Sequence, residues 1–258
     1  MRNAAFRPVP LEERAETAEF SFGGIAMACD WTGCLFLFEE RILVVSDLHL
    51  EKGATLASQG RLIPPYDTKA TLRALQRQIG TWQPRAIVSL GDSFHDGEAS
   101  GRMPEIFRDE LKAMMRGREW VWIAGNHDPA PPAELGGTHC GELSVGPLTL
   151  RHEPASAARR SEHDARQPGL FEPDLAGSGF EISGHLHPVA RIVRRGKAVR
   201  RRCFVSDGAR MIMPSFGAFT GGLNIREPAF DGLFDEARLH AHLLGHGRVF
   251  TIAGNLLV

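Results

Sequence analysis

The chain has 258 residues, a formal net charge of -1 and 43% hydrophobic side chains, the balance of a globular protein with a substantial core. So near-neutral a chain excludes a wholesale polyanion binder and leaves any nucleic-acid contact to a local patch. No apolar run approaches the roughly 20 residues of a membrane helix, no charged start leads into an apolar leader, and Cys29, Cys34, Cys140 and Cys203 lack C-x-x-C spacing; the expectation is a soluble cytoplasmic protein with reduced thiols and no membrane partner.

In chain order, residues 1–16 are polar with two prolines and are expected to be flexible. Phe20, Phe22 and Ile25 to Ala28 predict strands around Gly23-Gly24, Trp31-Thr32-Gly33 a turn, and Cys34 to Phe38 a further strand. Ile42-Leu43-Val44-Val45 is continuously apolar, as in a strand buried on both faces. Pro64-Pro65-Tyr66-Asp67 then breaks the chain and offers Asp67 as a helix N-cap, with Leu72, Leu75 and Ile79 at helical spacing behind it. A strand through Ile87 to Leu90 follows. Pro104 opens a second helix with Phe107, Leu111 and Met114 or Met115 on one face, and Trp120 to Ala124 is the next strand. Strands alternating with helices predict a parallel sheet.

The second half reads differently. Leu143 to Val145 and Leu148 to Arg151 flank Gly146-Pro147 as a hairpin. Residues 154–179 are rich in Pro, Ala, Arg, Ser and Gly and predict a loop longer than most ordered connections, either a mobile lid or partly disordered. Phe180 to Ser183 is a short strand. From Val189 onward the pattern is antiparallel, with turns at Arg195-Gly196-Lys197 and Asp207-Gly208, a strand over Ala209 to Met213, a glycine-rich loop over 217–222 and a late strand at Val249 to Ile252. Neither an internal repeat nor a composition break divides the chain, so residues 1–258 read as one domain.

One device recurs five times: an apolar run ends in a polar cluster. The clusters are Asp47-Leu48-His49, Gly91-Asp92, Gly125-Asn126-His127-Asp128, His152, and Gly184-His185-Leu186-His187. Each alone has a structural explanation, since Asp47 could cap a helix, Gly-Asp is common in turns, and Asp128 before Pro129 favours a turn. Ligands in open α/β sheets gather at the carboxyl ends of strands. Together, Asp47, His49, Asp92, Asn126, His152, His185 and His187 supply oxygen and imidazole donors and no thiolate, a set suited to Mn, Fe, Zn or Co. Seven ligands exceed the need of one ion and suit two, roughly 3.5–4 Å apart and sharing a carboxylate.

The pattern D-x-H, G-D, G-N-H-D, a single His and G-H-x-H, running from Asp47 to His187, resembles the calcineurin-like metallophosphoesterases. A narrower likeness covers Asp47-Leu48-His49-Leu50-Glu51-Lys52-Gly53, Leu90-Gly91-Asp92-Ser93-Phe94-His95-Asp96, His152-Glu153-Pro154, Gly184-His185-Leu186-His187-Pro188 and Pro214 to Gly222. These segments resemble the PdeM branch, the bacterial ligase-associated DNA-damage-response endonucleases. The resemblance implies an α/β/β/α sandwich of two mixed sheets. It implies that Asp47, His49, Asp92 and His187 hold one divalent ion, Mn above Fe or Zn, and that Asp92, Asn126, His152 and His185 hold the other. It further implies that His127 is a catalytic residue off the metals and that Asp128 orients it, as other carboxylates orient imidazoles. A DNA ligase, a helicase and an exonuclease are the implied functional partners.

Such a pair of ions would turn a shared water into a hydroxide nucleophile near neutral pH, and imidazolium at His127 would stabilise the developing charge or protonate the leaving oxygen. Two ions, two carboxylates and a hydroxide sum to about +1, which a phosphodiester monoanion matches. Arg191, Arg194, Arg195, Lys197, Arg200, Arg201 and Arg202 crowd the hairpin after His187. They form either a solvated edge that deters aggregation or a phosphate-tracking patch in which Arg200 and Arg201, with Asn126, meet the substrate. Trp120 and Trp122 read as core, and His95 and Asp96 as a turn or as the edge of the site. The expected activity is metal-dependent hydrolysis of phosphodiesters, DNA in a repair setting foremost. A phosphomonoesterase or small-nucleotide phosphodiesterase on the same scaffold is the nearest alternative, and a non-catalytic metal-binding scaffold the alternative of another class.

Overall fold

The computed structural model describes residues 17–61, 66–130, 132, 134–155, 179–194 and 196–258. The expected flexible start, the Pro64-Pro65 break and nearly all of the expected lid lie outside the described residues.

The first sheet takes the chain in order: β1 (Thr17–Phe22), β2 (Ile25–Asp30), β3 (Leu35–Leu37), β4 (Ile42–Val45), β5 (Ala86–Leu90), β6 (Glu119–Ile123) and β7 (Thr138–Cys140). β1 to β4 pair antiparallel, while β4 to β7 run parallel, so the carboxyl ends of β4, β5 and β6 lie side by side. The second sheet has the order β14 (Leu223–Asn224), β11 (Pro188–Arg194), β12 (Lys197–Ser206), β13 (Arg210–Ile212), β10 (Phe180–Ser183), β9 (Leu148–Arg151) and β8 (Glu142–Val145). Off β12 it carries β15 (His240–Leu244), and beyond it β16 (Val249–Ala253). Its β9, β10 and β13 are parallel, so both sheets are mixed, as the family resemblance implied, where the strand pattern alone predicted a parallel sheet first and antiparallel strands after it.

Alternation within the strands builds the layers. Val44, Val88 and Val121 face Leu150, Ile182 and Met211 between the sheets. Leu43, Val45, Ile87, Trp120 and Trp122 turn outward onto Leu72, Leu75 and Ile79 of α2 (Asp67–Trp82) and Leu111 and Met114 of α4 (Glu105–Met115). The two tryptophans are core residues, each 2% exposed. On the far face of the second sheet, Cys203, Val205, Ala241 and Leu243 are covered by Ile225, Phe230, Leu239 and Leu257; among the described residues that cover is irregular chain and two 3-10 turns.

Local details depart from the sequence reading. Asp67 is the first residue of α2 rather than its N-cap, a position held by Tyr66. Its carboxylate instead accepts the Gly53 N–H at 2.8 Å, tying α2 to α1 (Lys52–Ser58). α1 itself and α3 (Ala99–Arg102) were not foreseen: they are too short to show a period, and neither has a side-chain cap. β15 hid because its buried positions include a histidine, His242.

His242 stacks on Phe20 at 5.1 Å, and its Nδ1 pairs with Thr251 Oγ1 at 2.8 Å. Burial, aided by His240, pulls its pKa down to about 4. The folded chain therefore resists a proton that the unfolded chain accepts, and stability falls as pH drops from about 6.5 to about 4, by roughly 3 kcal/mol in full. His242→Phe is expected to lose less stability than the native chain between pH 7 and about pH 5 in urea melts; equal losses would contradict this.

Candidate metal centre and active site

The sheets deliver their polar clusters to one rim. Past β4 and β5 the chain continues as paired backbone: Asp47 N–H donates to Gly91 O at 3.3 Å, His49 N–H to Asp92 O at 2.9 Å, and His95 N–H to Leu50 O at 3.0 Å. From the other sheet, His185 N–H donates to Asp47 Oδ2 at 3.1 Å. Left-handed backbone is concentrated here, with φ of 51° at Asp47, 43° at His49, 45° at Asp92, 69° at His185 and 46° at His187. Non-glycine residues pay for that conformation, and it persists where surrounding contacts enforce it, typically at functional sites. Glycines allow the close approach. A Cβ on Gly91, itself at φ 72°, would overlap the His152 ring, and one on Gly184 would overlap Ser46 Oγ.

Two groups of donors result. Asp47, His49 and His187 form one, and Asp92, His152 and His185 the other; within each, the donor atoms lie within 4.8 Å of one another. His49 Nε2 is 3.4 Å from His187 Nε2, and His185 Nδ1 is 3.2 Å from His152 Nε2. Asn126 Oδ1 joins the second group at 3.0 Å from His152 Nε2. Asp92 addresses both: its Oδ1 lies 3.4 Å from His152 Nε2 and its Oδ2 3.9 Å from His49 Nε2. The donor set fits divalent transition ions, because carboxylate and imidazole donor atoms gather in two groups and no thiolate is among them. His152 Nδ1 faces Leu90 O at 2.9 Å, which fixes the ring and leaves Nε2 as its donor atom.

The charges are consistent with that use. Burial works to raise both carboxyls, yet His187 and its neighbours hold Asp47 below the ordinary range, and His152 with the His127 N–H brings Asp92 to about 2. His49 is pulled down to about 3, chiefly by burial, and His185 is lowered by burial and by His152. His152 is the exception: burial lowers it, but Asp92 and Asp47 outweigh that and raise it to about 9. It must therefore release a proton to act as a ligand.

His127 stands outside both groups. Its Nε2 is 4.0 Å from Asp92 Oδ2, and its side chain is 41% exposed. Its Nδ1 pairs with the His95 carbonyl at 2.9 Å. The orienting contact expected of Asp128 thus falls to a backbone carbonyl, because Asp128 Oδ2 accepts the Phe94 N–H at 3.0 Å. Asp128 fastens the turn that carries that carbonyl. The His95 ring stacks on His127 at 5.4 Å and so lies at the site's edge, whereas Asp96 is occupied by Thr55 and Arg102.

Pro214 to Gly222 carries a motif whose role the structure supplies. Phe216 N–H donates to Ser46 O at 2.7 Å, Gly217 N–H to Asp47 O at 3.2 Å, and Ala218 N–H to Thr71 Oγ1 at 3.0 Å. The segment straps the Asp47 loop to α2 and to the second sheet. Arg200 and Arg201 are exposed on β12, away from both donor groups in the chain but on the strand that pairs with β11, directly after His187.

Comparison with known proteins gives one family model, calcineurin-like phosphoesterase, matching residues 40–189. Among solved structures, the Pseudomonas putida nuclease MPE is similar at 28% identity and a TM-score of 0.64, over 92% of this chain and 100% of that one. The E. coli phosphoesterase Yfce matches at 15% identity and a TM-score of 0.38, over 82% and 98% of the two chains. Vacuolar protein sorting 29 from Cryptosporidium parvum matches at 15% and 0.32, over 82% and 94%. No curated protein sequence matches.

Proposed function

The chain belongs to the calcineurin-like phosphoesterase family, and on that premise we propose that it is a dinuclear metal-dependent phosphodiesterase whose substrate is DNA. The observation that carries the reading is Asp92, whose two carboxylate oxygens face two separate donor groups. Asp47, His49, Asp92 and His187 would hold one ion, and Asp92, Asn126, His152 and His185 the other, Mn foremost and Fe or Zn as alternatives. Bound there, the ions would supply Lewis acidity toward the phosphoryl oxygens and an activated water. His127 contributes the proton. Its Nδ1–H rests on the His95 carbonyl, so Nε2 is aimed toward Asp92 and the leaving oxygen can be protonated from that atom. Asp128 acts on it at one remove, through the Phe94 N–H. Asn126 serves both a ligand role and a substrate contact.

The nuclease reading draws support from the similarity to the P. putida nuclease and from charge on the β11–β12 hairpin. Arg191 and Arg200 are directly opposite in the antiparallel register, and like charges so placed destabilise a hairpin unless an anion lies between them. A DNA backbone is such an anion. A repair setting, with a ligase, a helicase and an exonuclease acting on the same DNA, follows the sequence resemblance. The test is charge reversal: Arg200→Glu with Arg201→Glu is expected to lower DNA hydrolysis by about tenfold or more and to affect a small chromogenic diester far less. Equal loss on both substrates would sink the DNA patch and favour the small-substrate phosphodiesterase or phosphomonoesterase alternative.

A further inference from the structure

The rim holds a second concavity beside the Asp47–His49–His187 group. The register sets Leu35 beside Cys29 and Val44, so the turn after β2 lies at the carboxyl end of β4. In the other sheet Ser183 pairs with Ile212, Ile212 with Val205, and Cys203 with Leu243, so Arg202 and the end of β15 rise to the same rim. Between them opens a cleft of about 420 Å³, walled by Trp31, Val189, Arg200, Arg201, Arg202 and His246.

Three features of this cleft call for an anion. Arg200 donates to Gly222 O at 2.6 Å, Arg201 to Arg200 O at 3.1 Å, and Arg202 to Ser215 O at 2.7 Å. Each guanidinium is thereby steadied by one backbone carbonyl and keeps most of its five N–H donors. Among the described residues, none of the three meets a carboxylate, and no acidic side chain lines the cleft. Burial lowers the pKa of Arg202 with nothing to offset it. The fourth wall is an indole, a flat surface on which any base can stack.

The cleft is also joined to the metal groups through single residues. Gly222, whose carbonyl holds Arg200, packs so tightly on the His187 carbonyl that a Cβ there would overlap it. Ser215, whose carbonyl holds Arg202, is followed by Phe216, whose N–H is on Ser46 O. A ligand in the cleft therefore lies one or two residues from the backbone that carries Asp47 and His187.

We propose that this cleft holds one nucleotide of a polynucleotide strand, a flanking phosphate on Arg200 and Arg202, which share one face of β12, and its base against Trp31, while the scissile phosphate lies at the metal groups. The proposal rests on the nuclease reading and adds Trp31, Arg202 and His246 to the substrate's path. A volume of this order suits a single small ligand such as a nucleotide.

The test is direct binding to the full chain in chelator, without metal and without turnover. A short fluorescein-labelled oligothymidylate is followed by anisotropy, with thymidine monophosphate and inorganic phosphate as competitors. Trp31→Ala and Arg200→Ala are each expected to weaken oligonucleotide binding by about tenfold, and Trp31→Phe, which keeps a ring, to recover most of the loss. Arg200 is exposed, so its variant keeps the test valid if Trp31→Ala folds poorly. Oligonucleotide affinity equal in the native chain, Arg200→Ala and Trp31→Ala would overturn the proposal, as would an oligonucleotide bound no tighter than thymidine monophosphate, which would make the cleft a mononucleotide site. DNA hydrolysis by the metal-loaded native chain is measured in parallel. Its absence, with Trp31-dependent binding intact, would fail the nuclease reading alone, whereas hydrolysis with binding indifferent to Trp31 and Arg200 would fail the cleft alone.

Discussion

Replacing Asp92 with asparagine is expected to lower diester turnover by more than about 100-fold and to cost bound metal. The estimate is a floor, since losing even an outer partner of a metal ligand typically costs 10–100-fold in affinity or activity. Asparagine preserves the shape and the carbonyl oxygen but removes the charge and one of two equivalent oxygens. Those oxygens address separate groups, Oδ1 toward His152 and Oδ2 toward His49, so a single change is felt on both sides. The backbone N–H of His127 also donates to Asp92 Oδ1 at 2.9 Å, a bond the asparagine oxygen can still accept, so the loop bearing His127 is expected to keep its place. Elemental analysis beside the turnover assay separates the two effects: activity lost with metal content intact would show that Asp92 is not the shared ligand.

His127→Ala is the second large change, and it should behave differently. The side chain lies outside both donor groups, so metal content should stay at the native level while DNA hydrolysis falls by roughly 10²–10⁴-fold, the usual contribution of a positioned acid. The loss should depend on the leaving group. A nitrophenolate departs with little need of a proton, whereas a deoxyribose alkoxide needs one, so the same variant should lose much less on a chromogenic diester than on DNA. Equal losses on both would make His127 a stabiliser of phosphoryl charge rather than a proton donor. Asp128→Ala should reproduce part of the DNA defect by releasing the Phe94 N–H, and Asp128→Asn, which keeps an acceptor, should reproduce less of it.

The two candidate metal-binding groups were legible in the sequence for a physical reason. Val45, Leu90 and Ile123 each close a run that is apolar because both faces are buried, and a polar cluster directly after such a run has to lie at a strand's carboxyl end. Parallel pairing then brings those ends together without further information. What stayed hidden depends on backbone groups or on distant chain. The His95 carbonyl that meets His127 carries no side-chain signal. The Phe216 and Gly217 N–H groups that fasten the Asp47 loop are equally silent, although their motif stood out. Asp67 looked like a cap because it follows Tyr66 and a proline pair, but its carboxylate found a better partner in the Gly53 N–H across the fold. Trp31 read as part of a turn, and Arg202 as one of a crowd of cations; only the pairing of β2 with β3 and β12 with β15 makes them neighbours.

The most direct test of the central claim is a titration of metal-stripped protein with manganese, read simultaneously as ions bound and as turnover of a chromogenic diester and its monoester counterpart. Occupancy should rise to about two ions per chain, with diester turnover appearing as the second group fills and exceeding monoester turnover. Zinc, iron and magnesium follow in the same format. Full diester turnover with a single ion bound would contradict the dinuclear centre, a preference for the monoester would contradict the diesterase assignment, and two bound ions with no turnover of either ester would leave a metal-binding scaffold in place of an enzyme.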